Sequence, residues 1–327
     1  MLNPQLPVHG KKETGWISRC EMAAKQEPPP RRPLVCAPEG FANVTNIDRR
    51  TCKRVVPLKV IGLGPSRTGT SSLRQALLDL GYSDCYHYTA LVQENPRDAE
   101  MWVEAFQAKF EGKGKPFARE DWDQLLGHAI MDTPCTVFYK ELLEAYPEAK
   151  VIVTVRDSPQ QWWESQMRTM MPFLDLLVLP PTTWKMWLWR QFLPPPTAFD
   201  RMNQLLPKYY PTYNIMCKDM RNGTKEGIKW FENYIEEIKR LVPPEKLLIM
   251  NIKSGWKPLC EFLGHDTPAW DFPVANTNEQ FEANVAGLYA GINQAVWYNA
   301  AKRLAPVAVG LMAVGGFFAV RGRGFGV

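Results

Sequence analysis

The segment from Val60 to Leu73, VIGLGPSRTGTSSL, constrains the fold of this chain more than any other part of its sequence. An apolar run ends in glycines, and a stretch with leucines at helical spacing follows. In such a turn the backbone N–H groups and the helix dipole point to one spot, which suits a phosphate or a sulfate. The segment therefore predicts an α/β domain with an anion-binding loop at Gly62–Ser72.

The spacing of Gly64 and Gly69 matches that of a nucleotide-binding P-loop, with one exception. Thr70 stands where the motif has lysine, and Arg67 is the nearest cation. A triphosphate hydrolase uses that lysine on the outer phosphates and a carboxylate to help hold magnesium. A glycine-rich turn without a ligand is the alternative, but the hydroxyls at 70–72 and the arginine favour an anion site.

Apolar runs and amphipathic stretches alternate along the chain after this loop. Ala149–Val155 and Leu247–Ile252 have the apolar character of buried strands, while residues 97–111 and Lys225–Leu241 show helical spacing. Such alternation is typical of parallel sheets. The predicted fold class is α/β, with a P-loop-type, mostly parallel sheet flanked by helices and a C-terminal apolar helix.

The composition changes along the chain and suggests its domain organisation. Residues 1–55 are rich in proline and lack periodicity, which is typical of a disordered leader. Residues 56–282 form the predicted P-loop domain, in which a Trp-, Met- and Pro-rich stretch at 170–215 is a lid, a pocket wall or a membrane-contacting insert. An amphipathic helix at 283–303 and a transmembrane tail anchor at 304–320 follow.

The tail at 304–320 has seventeen residues without a charge, and basic residues flank it on both sides. As a helix it spans about 25 Å, close to the about 30 Å of a hydrocarbon core. Since so late a segment emerges only after synthesis ends, the sequence predicts a membrane-anchored protein whose catalytic domain faces the cytosol. A soluble cytoplasmic protein with a buried C-terminal helix is the alternative.

Charge and cysteine content exclude several other classes of protein. The formal net charge of +5 is modest and the basic residues are spread along the chain, so we expect no nucleic-acid partner. The seven cysteines are scattered, and none has the spacing of a metal site. We therefore expect reduced thiols and no bound metal; the sequence does not indicate an oligomeric state.

Four segments, the first of which contains the loop, follow one another in an informative order. They are GLGPSRTGTSSLRQAL, the stretch from NPRDAEMW through MDTPCTVFYKELLEAYPEAKVIVTVRD, RDSPQQWWES, and GWKPLCEFLG with FPVAN after it. In order and spacing they resemble the P-loop sulfotransferases, in particular the sulfotransferase-like proteins common in fungi. The resemblance extends from about Pro57 to Phe281, over most of the predicted domain.

The resemblance implies 3′-phosphoadenosine 5′-phosphosulfate (PAPS) as sulfuryl donor, and it implies which residues bind it. Arg156 and Ser165 match the pair that holds the 3′-phosphate, where an arginine fork and a hydroxyl suit a dianion. A surface ion pair of Arg156 with Asp157 or Glu164 is the alternative. The loop that would hold the 5′-phosphosulfate comprises Ser66, Arg67, Thr68, Gly69, Thr70, Ser71 and Ser72.

The sequence departs from the better-known small-molecule sulfotransferases at three places. Arg67 replaces their loop lysine, and Asp132 stands where many carry the histidine that takes the acceptor proton. Their C-terminal Arg-Lys-Gly motif is not evident, and Lys253 is a loose substitute for it. Asp132 and Arg67 are therefore the predicted catalytic residues.

Asp132 has a second possible role, since an aspartate before a proline often caps a helix. The two roles are compatible, and His87 and His128 are reserve candidates for the base. The predicted activity is transfer of a sulfuryl group from PAPS to an unidentified small-molecule acceptor, for which the 170–215 stretch suggests an apolar molecule. A degenerate P-loop kinase or NTPase, and a non-catalytic membrane-attached relative, are the alternatives.

Overall fold

The structure is a computed structural model that describes residues 28–29, 44–125, 127–177, 183–193, 195–218 and 223–322. Most of the predicted leader lies outside these residues. So do residues 178–182 and Pro194 of the stretch at 170–215.

Five parallel strands form one sheet in the order β2-β3-β1-β4-β5. The strands are β1 (Val60–Gly62), β2 (Cys85–Tyr86), β3 (Ala129–Met131), β4 (Lys150–Val155) and β5 (Leu247–Asn251). The central strand β1 pairs in parallel with β3 on one side and with β4 on the other. Because the chain reverses its direction of winding at β1, the carboxyl end of β1 is the expected place for a ligand.

Helices cover both faces of the sheet, as the alternation of strands and helices predicted. They are α1 (Thr70–Asp79), α2 (Tyr88–Gln93), α3 (Ala99–Glu111), α4 (Arg119–Leu125), α5 (Tyr139–Ala145), α6 (Pro159–Leu177), α7 (Trp184–Arg190), α8 (Ala198–Tyr209), α9 (Pro211–Lys218), α10 (Gly223–Leu241), α11 (Trp256–Leu263) and α12 (Asn278–Gly322). The prediction of an α/β fold with a parallel sheet is confirmed.

The strands divide the core into two clusters because successive side chains point to opposite faces. In β1, Ile61 belongs to the larger cluster and Val60 to the smaller. In β4, Val151 and Val153 join the larger cluster, whereas Ile152 joins the smaller one with residues of α1 and α11. The sheet is therefore buried on both faces, which explains why its strands are continuously apolar.

Residues 44–55 of the predicted leader lie against the domain. The backbone N–H of Ile47 donates to the side chain of Asn95 at 2.8 Å. The Arg49 guanidinium pairs with the buried carboxylate of Asp98 at 3.2 Å. Burial raises the pKa of Asp98 to about 6 in spite of this pair. Polar contacts that leave no periodic pattern in the sequence thus hold this segment.

The stretch at 170–215 contributes the end of α6, the helices α7 and α8, and most of α9. Thr197 and Asp200 form a reciprocal capping box at the start of α8. The helix α8 packs against α3 and α9, whereas Trp184 and Trp187 of α7 are exposed. Part of this stretch thus belongs to the body of the domain.

The last helix, α12, runs without interruption from Asn278 to Gly322. It includes the predicted amphipathic helix at 283–303 and all of the predicted anchor at 304–320. Within the described part of the chain, no helix is long and apolar enough to cross a bilayer. The side chains of residues 315–320 lie outside that part, and the anchor at 304–320 stays a prediction.

Candidate active site

The loop between β1 and α1 is held by hydrogen bonds from the helices and strands around it. The Trp162 indole N–H and the Gln166 side-chain amide donate to the carbonyl of Ser66, at 3.0 and 2.7 Å. The Thr68 hydroxyl donates to the carbonyl of Pro65 at 2.6 Å and lies 2.6 Å from the hydroxyl of Thr154. Thr68, a predicted donor-binding residue, therefore points into the domain and braces the loop.

Both glycines of the loop are required by their surroundings. A Cβ atom on Gly64 would lie 1.9 Å from the Thr154 hydroxyl oxygen and 2.8 Å from the Thr154 backbone nitrogen. Gly69 has a φ of +103°, and a Cβ atom there would lie 2.6 Å from Ile252. The close approach of β4 and of Ile252 therefore leaves no room for a side chain at either position, and the positive φ of Gly69 also favours glycine.

A cavity of about 430 Å³ opens at the carboxyl edge of the sheet, beside this loop. Most of the predicted site residues line it, but Thr68, Ser165 and Lys253 do not. The predicted residues in the lining are Ser66, Arg67, Gly69, Thr70, Ser71, Ser72, Asp132 and Arg156. The structure thus brings together residues that are far apart in the sequence.

Asp132 follows β3 and adopts a φ of +65°. Its Oδ1 accepts a hydrogen bond from the Ser66 hydroxyl at 2.8 Å, and its Oδ2 lies 3.2 Å from Nε2 of His87. No side chain caps the short 3₁₀ helix that begins at Cys135. The carboxylate of Asp132 therefore faces the loop and the cavity, and the predicted helix cap is not formed.

Arg67 lies in the loop with a φ of +69° and is buried. Its Nη2 donates to the side-chain oxygen of Asn278 at 2.7 Å, and its guanidinium carbon lies 4.7 Å from the centre of the Phe281 ring. Burial and the neighbouring Arg156 lower the pKa of Arg67 to about 10, so it is charged at neutral pH. Its Nε has no hydrogen-bond partner although it is buried.

Arg156 follows β4 and lies beside Arg67. Its Nε donates to the carbonyl of Arg67 at 2.7 Å, and burial lowers its pKa. Asp157, the predicted alternative partner of Arg156, instead bonds to the side chains of Asn251 and Lys253. The two arginines thus place two positive charges on one side of the cavity.

Ser165 and Arg67 share one acceptor. The Ser165 hydroxyl donates at 2.9 Å to the same oxygen of Asn278 that accepts the Arg67 guanidinium. Two groups predicted to bind phosphate therefore meet one carboxamide oxygen at the start of α12. We interpret this oxygen as occupying the position that an anion oxygen would take.

Lys253, the loose substitute for the missing basic motif, lies elsewhere. Its ammonium pairs with the carboxylate of Asp157, and its side chain is 70% exposed. Its neighbour Ile252 lines the cavity, but Lys253 does not. No hydrogen bond or ion pair joins Lys253 to the other predicted site residues, all of which belong to the described part of the chain.

The segment before α12 was not predicted as part of the site, although FPVAN carries part of the resemblance. The Ala275 N–H donates to the Ser72 hydroxyl at 3.0 Å, and the Asn276 amide donates to the Ser71 hydroxyl at 3.4 Å. Asn276 has a φ of +57°, and its buried Oδ1 has no partner. An asparagine that tolerates the left-handed region after a proline-containing loop was the only signal in the sequence.

A second wall of the cavity is mostly apolar and comes from four helices. The side chains that form it are Tyr88, Val92, Met170, Phe173, Phe199, Leu206, Phe281 and Val285. A second groove, of about 500 Å³, lies between α6 and α12 and shares Phe281 and Val285 with the cavity. Among the described residues, no group of three or more His, Cys, Asp or Glu side chains is placed to hold a metal ion.

Comparisons with known proteins identify the family of the chain. The profile of the family described as "Sulfotransferase domain" matches residues 59–281. The "Ava biosynthesis cluster protein M" of Aspergillus versicolor is 36% identical over 232 residues, which cover 68% of this chain and 82% of that protein. The matched residues include the loop, Asp132, both arginines and the start of α12.

Proposed function

Because the chain belongs to the sulfotransferase domain family, we propose that it transfers a sulfuryl group from PAPS to a hydroxyl of an apolar small molecule. One observation carries this proposal. A loop that presents hydroxyls and backbone N–H groups lies in one cavity with two arginines, a carboxylate and an apolar wall. The loop and the arginines suit an anionic donor, and the carboxylate can accept a proton. The apolar wall suits the second substrate.

The polar residues of the cavity fit a donor with several negative charges. Arg67 and Arg156 supply positive charge, and the hydroxyls of Ser71 and Ser72 lie at the start of α1, where the helix dipole favours an anion. The buried Nε of Arg67 has a proton to donate and no partner. PAPS would bring the sulfuryl group and a phosphate leaving group to this place.

The protein's own contributions to the reaction are position, charge and proton removal. Arg67 and the start of α1 stabilise the negative charge that grows on the leaving phosphate. Asp132 accepts the proton of the acceptor hydroxyl while the new oxygen–sulfur bond forms and the old bond to the phosphate breaks. Ser66 holds Asp132 at the edge of the loop, next to the donor position.

The wall formed by α2, α6, α8 and α12 favours an apolar acceptor. Glu279 of α12 is the one charged residue among the described cavity-lining residues of these four helices, and the lining is mostly aliphatic and aromatic. A neutral hydroxylated molecule gains from burial there, whereas a charged one would lose its hydration. The name of the Aspergillus relative places that protein in a biosynthesis cluster, which is compatible with such an acceptor.

The experiment that tests this function compares nucleotides by calorimetry. We expect PAPS and its product 3′-phosphoadenosine 5′-phosphate (PAP) to bind more tightly than ATP, with the same affinity in EDTA as in magnesium. Incubation with labelled PAPS and a cell extract would then identify the labelled acceptor. Tighter, magnesium-dependent binding of ATP would contradict the proposal and favour a kinase or NTPase.

A further inference from the structure

His87 lies at the end of β2, at the same edge of the sheet as the loop, and is 2% exposed. Its Nδ1 accepts the backbone N–H of Thr89 at 3.0 Å, so that the imidazole caps the start of α2. Because a backbone N–H can only donate, Nδ1 must be the nitrogen without a proton. The proton of a neutral ring therefore resides on Nε2.

The Nε2 atom faces two oxygens of the site. It lies 3.2 Å from Oδ2 of Asp132 and 3.1 Å from the hydroxyl oxygen of Thr70. Burial lowers the pKa of His87 to about 4, although Asp132 and Glu94 oppose this shift and Arg74 adds to it. The ring is therefore neutral near pH 7, with its single N–H directed at the two oxygens.

The geometry points to His87 as a positioning residue that fixes the carboxylate of Asp132 against the donor loop. Ser66 holds one carboxylate oxygen of Asp132 and His87 holds the other. The same imidazole contacts Thr70, the residue at the P-loop lysine position, whose short side chain leaves room for the ring. His87 thus ties the general base to the first turn of α1; this role rests on the proposed function of Asp132.

The same arrangement excludes His87 as the base itself. Its Nδ1 lone pair is used by Thr89, and its Nε2 carries a proton. A neutral ring in this tautomer has no lone pair left to take a proton from an acceptor. The reserve role that the sequence suggested for His87 is thereby replaced by an indirect one.

Imidazole ¹⁵N spectra of the full-length protein test the tautomer without any ligand. We expect His87 to show a protonated Nε2 and an unprotonated Nδ1 from pH 8 down to about 5, with a slowly exchanging Nε2 proton. The variant Asp132→Asn should change the chemical shift of this proton. The reference is His128, whose ring accepts the backbone N–H of Ser83 and which does not line the cavity. An Nδ1–H tautomer, or an imidazolium at pH 6.5, would overturn the inference.

Kinetics test the positioning role. With PAPS and 2-naphthol as probe acceptor, we expect His87→Ala to lower kcat by about tenfold to a hundredfold, the cost of misplacing a catalytic group by about 1 Å. The Kd for PAP should change less than twofold. His87→Gln, whose amide can still donate to Asp132, should recover part of the loss, and His128→Ala should resemble the wild type.

A double variant separates positioning from folding. If His87 acts through Asp132, adding His87→Ala to Asp132→Asn causes little further loss of kcat. Wild-type kcat in His87→Ala, or equal losses in the Ala and Gln variants with full PAP binding, would refute the positioning role. A wild-type protein that turns over no PAPS would refute the proposed function instead, while the ¹⁵N spectra would still decide the tautomer.

Discussion

The two walls of the cavity are built in different ways. On the loop wall, side chains and backbone groups between Ser66 and Ser72 are held by hydrogen bonds of defined direction from Trp162, Gln166 and Thr154. On the helical wall, side chains of α2, α6, α8 and α12 meet mostly by apolar packing, with a hydrogen bond from the Tyr88 hydroxyl to Asn203 between α2 and α8. A hydrogen bond is lost entirely when one partner is removed, whereas the cost of lost packing increases with the volume of the side chain that is removed.

The difference also decides how tolerant each wall is to change. The loop wall comes from one continuous segment and the residues that brace it, so its shape is specified locally. The helical wall combines segments separated by more than a hundred residues, and many side chains of similar volume can fill it. We therefore expect variants of the loop wall to abolish steps of the reaction and variants of the helical wall to change its substrate preference.

The largest effect is expected for Asp132→Asn, which removes the proposed base from the loop wall. General-base catalysis contributes about 10²- to 10⁴-fold, and kcat should fall by a factor of this order. The amide keeps the size of the carboxylate, so the Kd for PAP should stay within about twofold. Single-turnover kinetics measure the first quantity and calorimetry the second; near wild-type turnover would show that Asp132 only braces Ser66.

Arg156→Ala should weaken PAP binding by about ten- to a hundredfold. A hydrogen bond to a charged group contributes about 1.5–3 kcal/mol, and this residue also supports the loop through the carbonyl of Arg67. Lys253→Ala, which removes an exposed cation from the same edge of the sheet, is the matched control and should bind PAP normally. Equal losses in both variants would show that only the overall charge matters.

Asn278→Asp tests the position where the loop wall and the helical wall meet. A carboxylate at this position would pair with Arg67 and compete with the donor anion, so the Kd for PAP should rise about tenfold and the rise should shrink in high salt. Asn293→Asp adds the same charge to α12, beside Trp189 and away from the loop, and should leave the Kd unchanged. Tighter PAP binding by Asn278→Asp would contradict our interpretation of this oxygen.

Phe199→Ala is expected to have the smallest effect because it removes one ring from the helical wall. Because similar side chains surround this ring, we expect the low end of the about 1–3 kcal/mol that a pocket contact contributes, so the KM for 2-naphthol should rise about fivefold, with unchanged PAP binding. Trp187→Ala, which removes an exposed ring of α7, is the control. An unchanged KM in Phe199→Ala would place the acceptor elsewhere.

Local patterns predicted much of the fold. The strands β1, β4 and β5 and the helices α1 and α10 appear where apolar runs and helical spacing placed them. The strand β2 was missed because it has only two residues, Cys85 and Tyr86, too few for any period to show. The packed segment at 44–55 was missed because its contacts are polar and individual.

The candidate site likewise has a part that the sequence predicted and a part that it did not. The loop residues and Arg156 could be predicted because a strand delivers each of them to the carboxyl edge of the sheet. The contact of His87 with Asp132 and that of Asn278 with Arg67 could not, since each joins residues that only the complete fold brings together. The motif in the sequence indicates where a ligand binds, and the tertiary structure determines which side chains meet it.

The close contact between Gly64 and β4 limits how this loop can evolve. Many steric conflicts can be relieved by a second substitution that shortens the opposing side chain. At Gly64 the conflict is with the backbone nitrogen of Thr154 as well as with its hydroxyl, and no exchange of side chains removes a backbone atom. A second substitution at position 154 therefore cannot compensate for a side chain at position 64, and relatives that share this packing must keep glycine there.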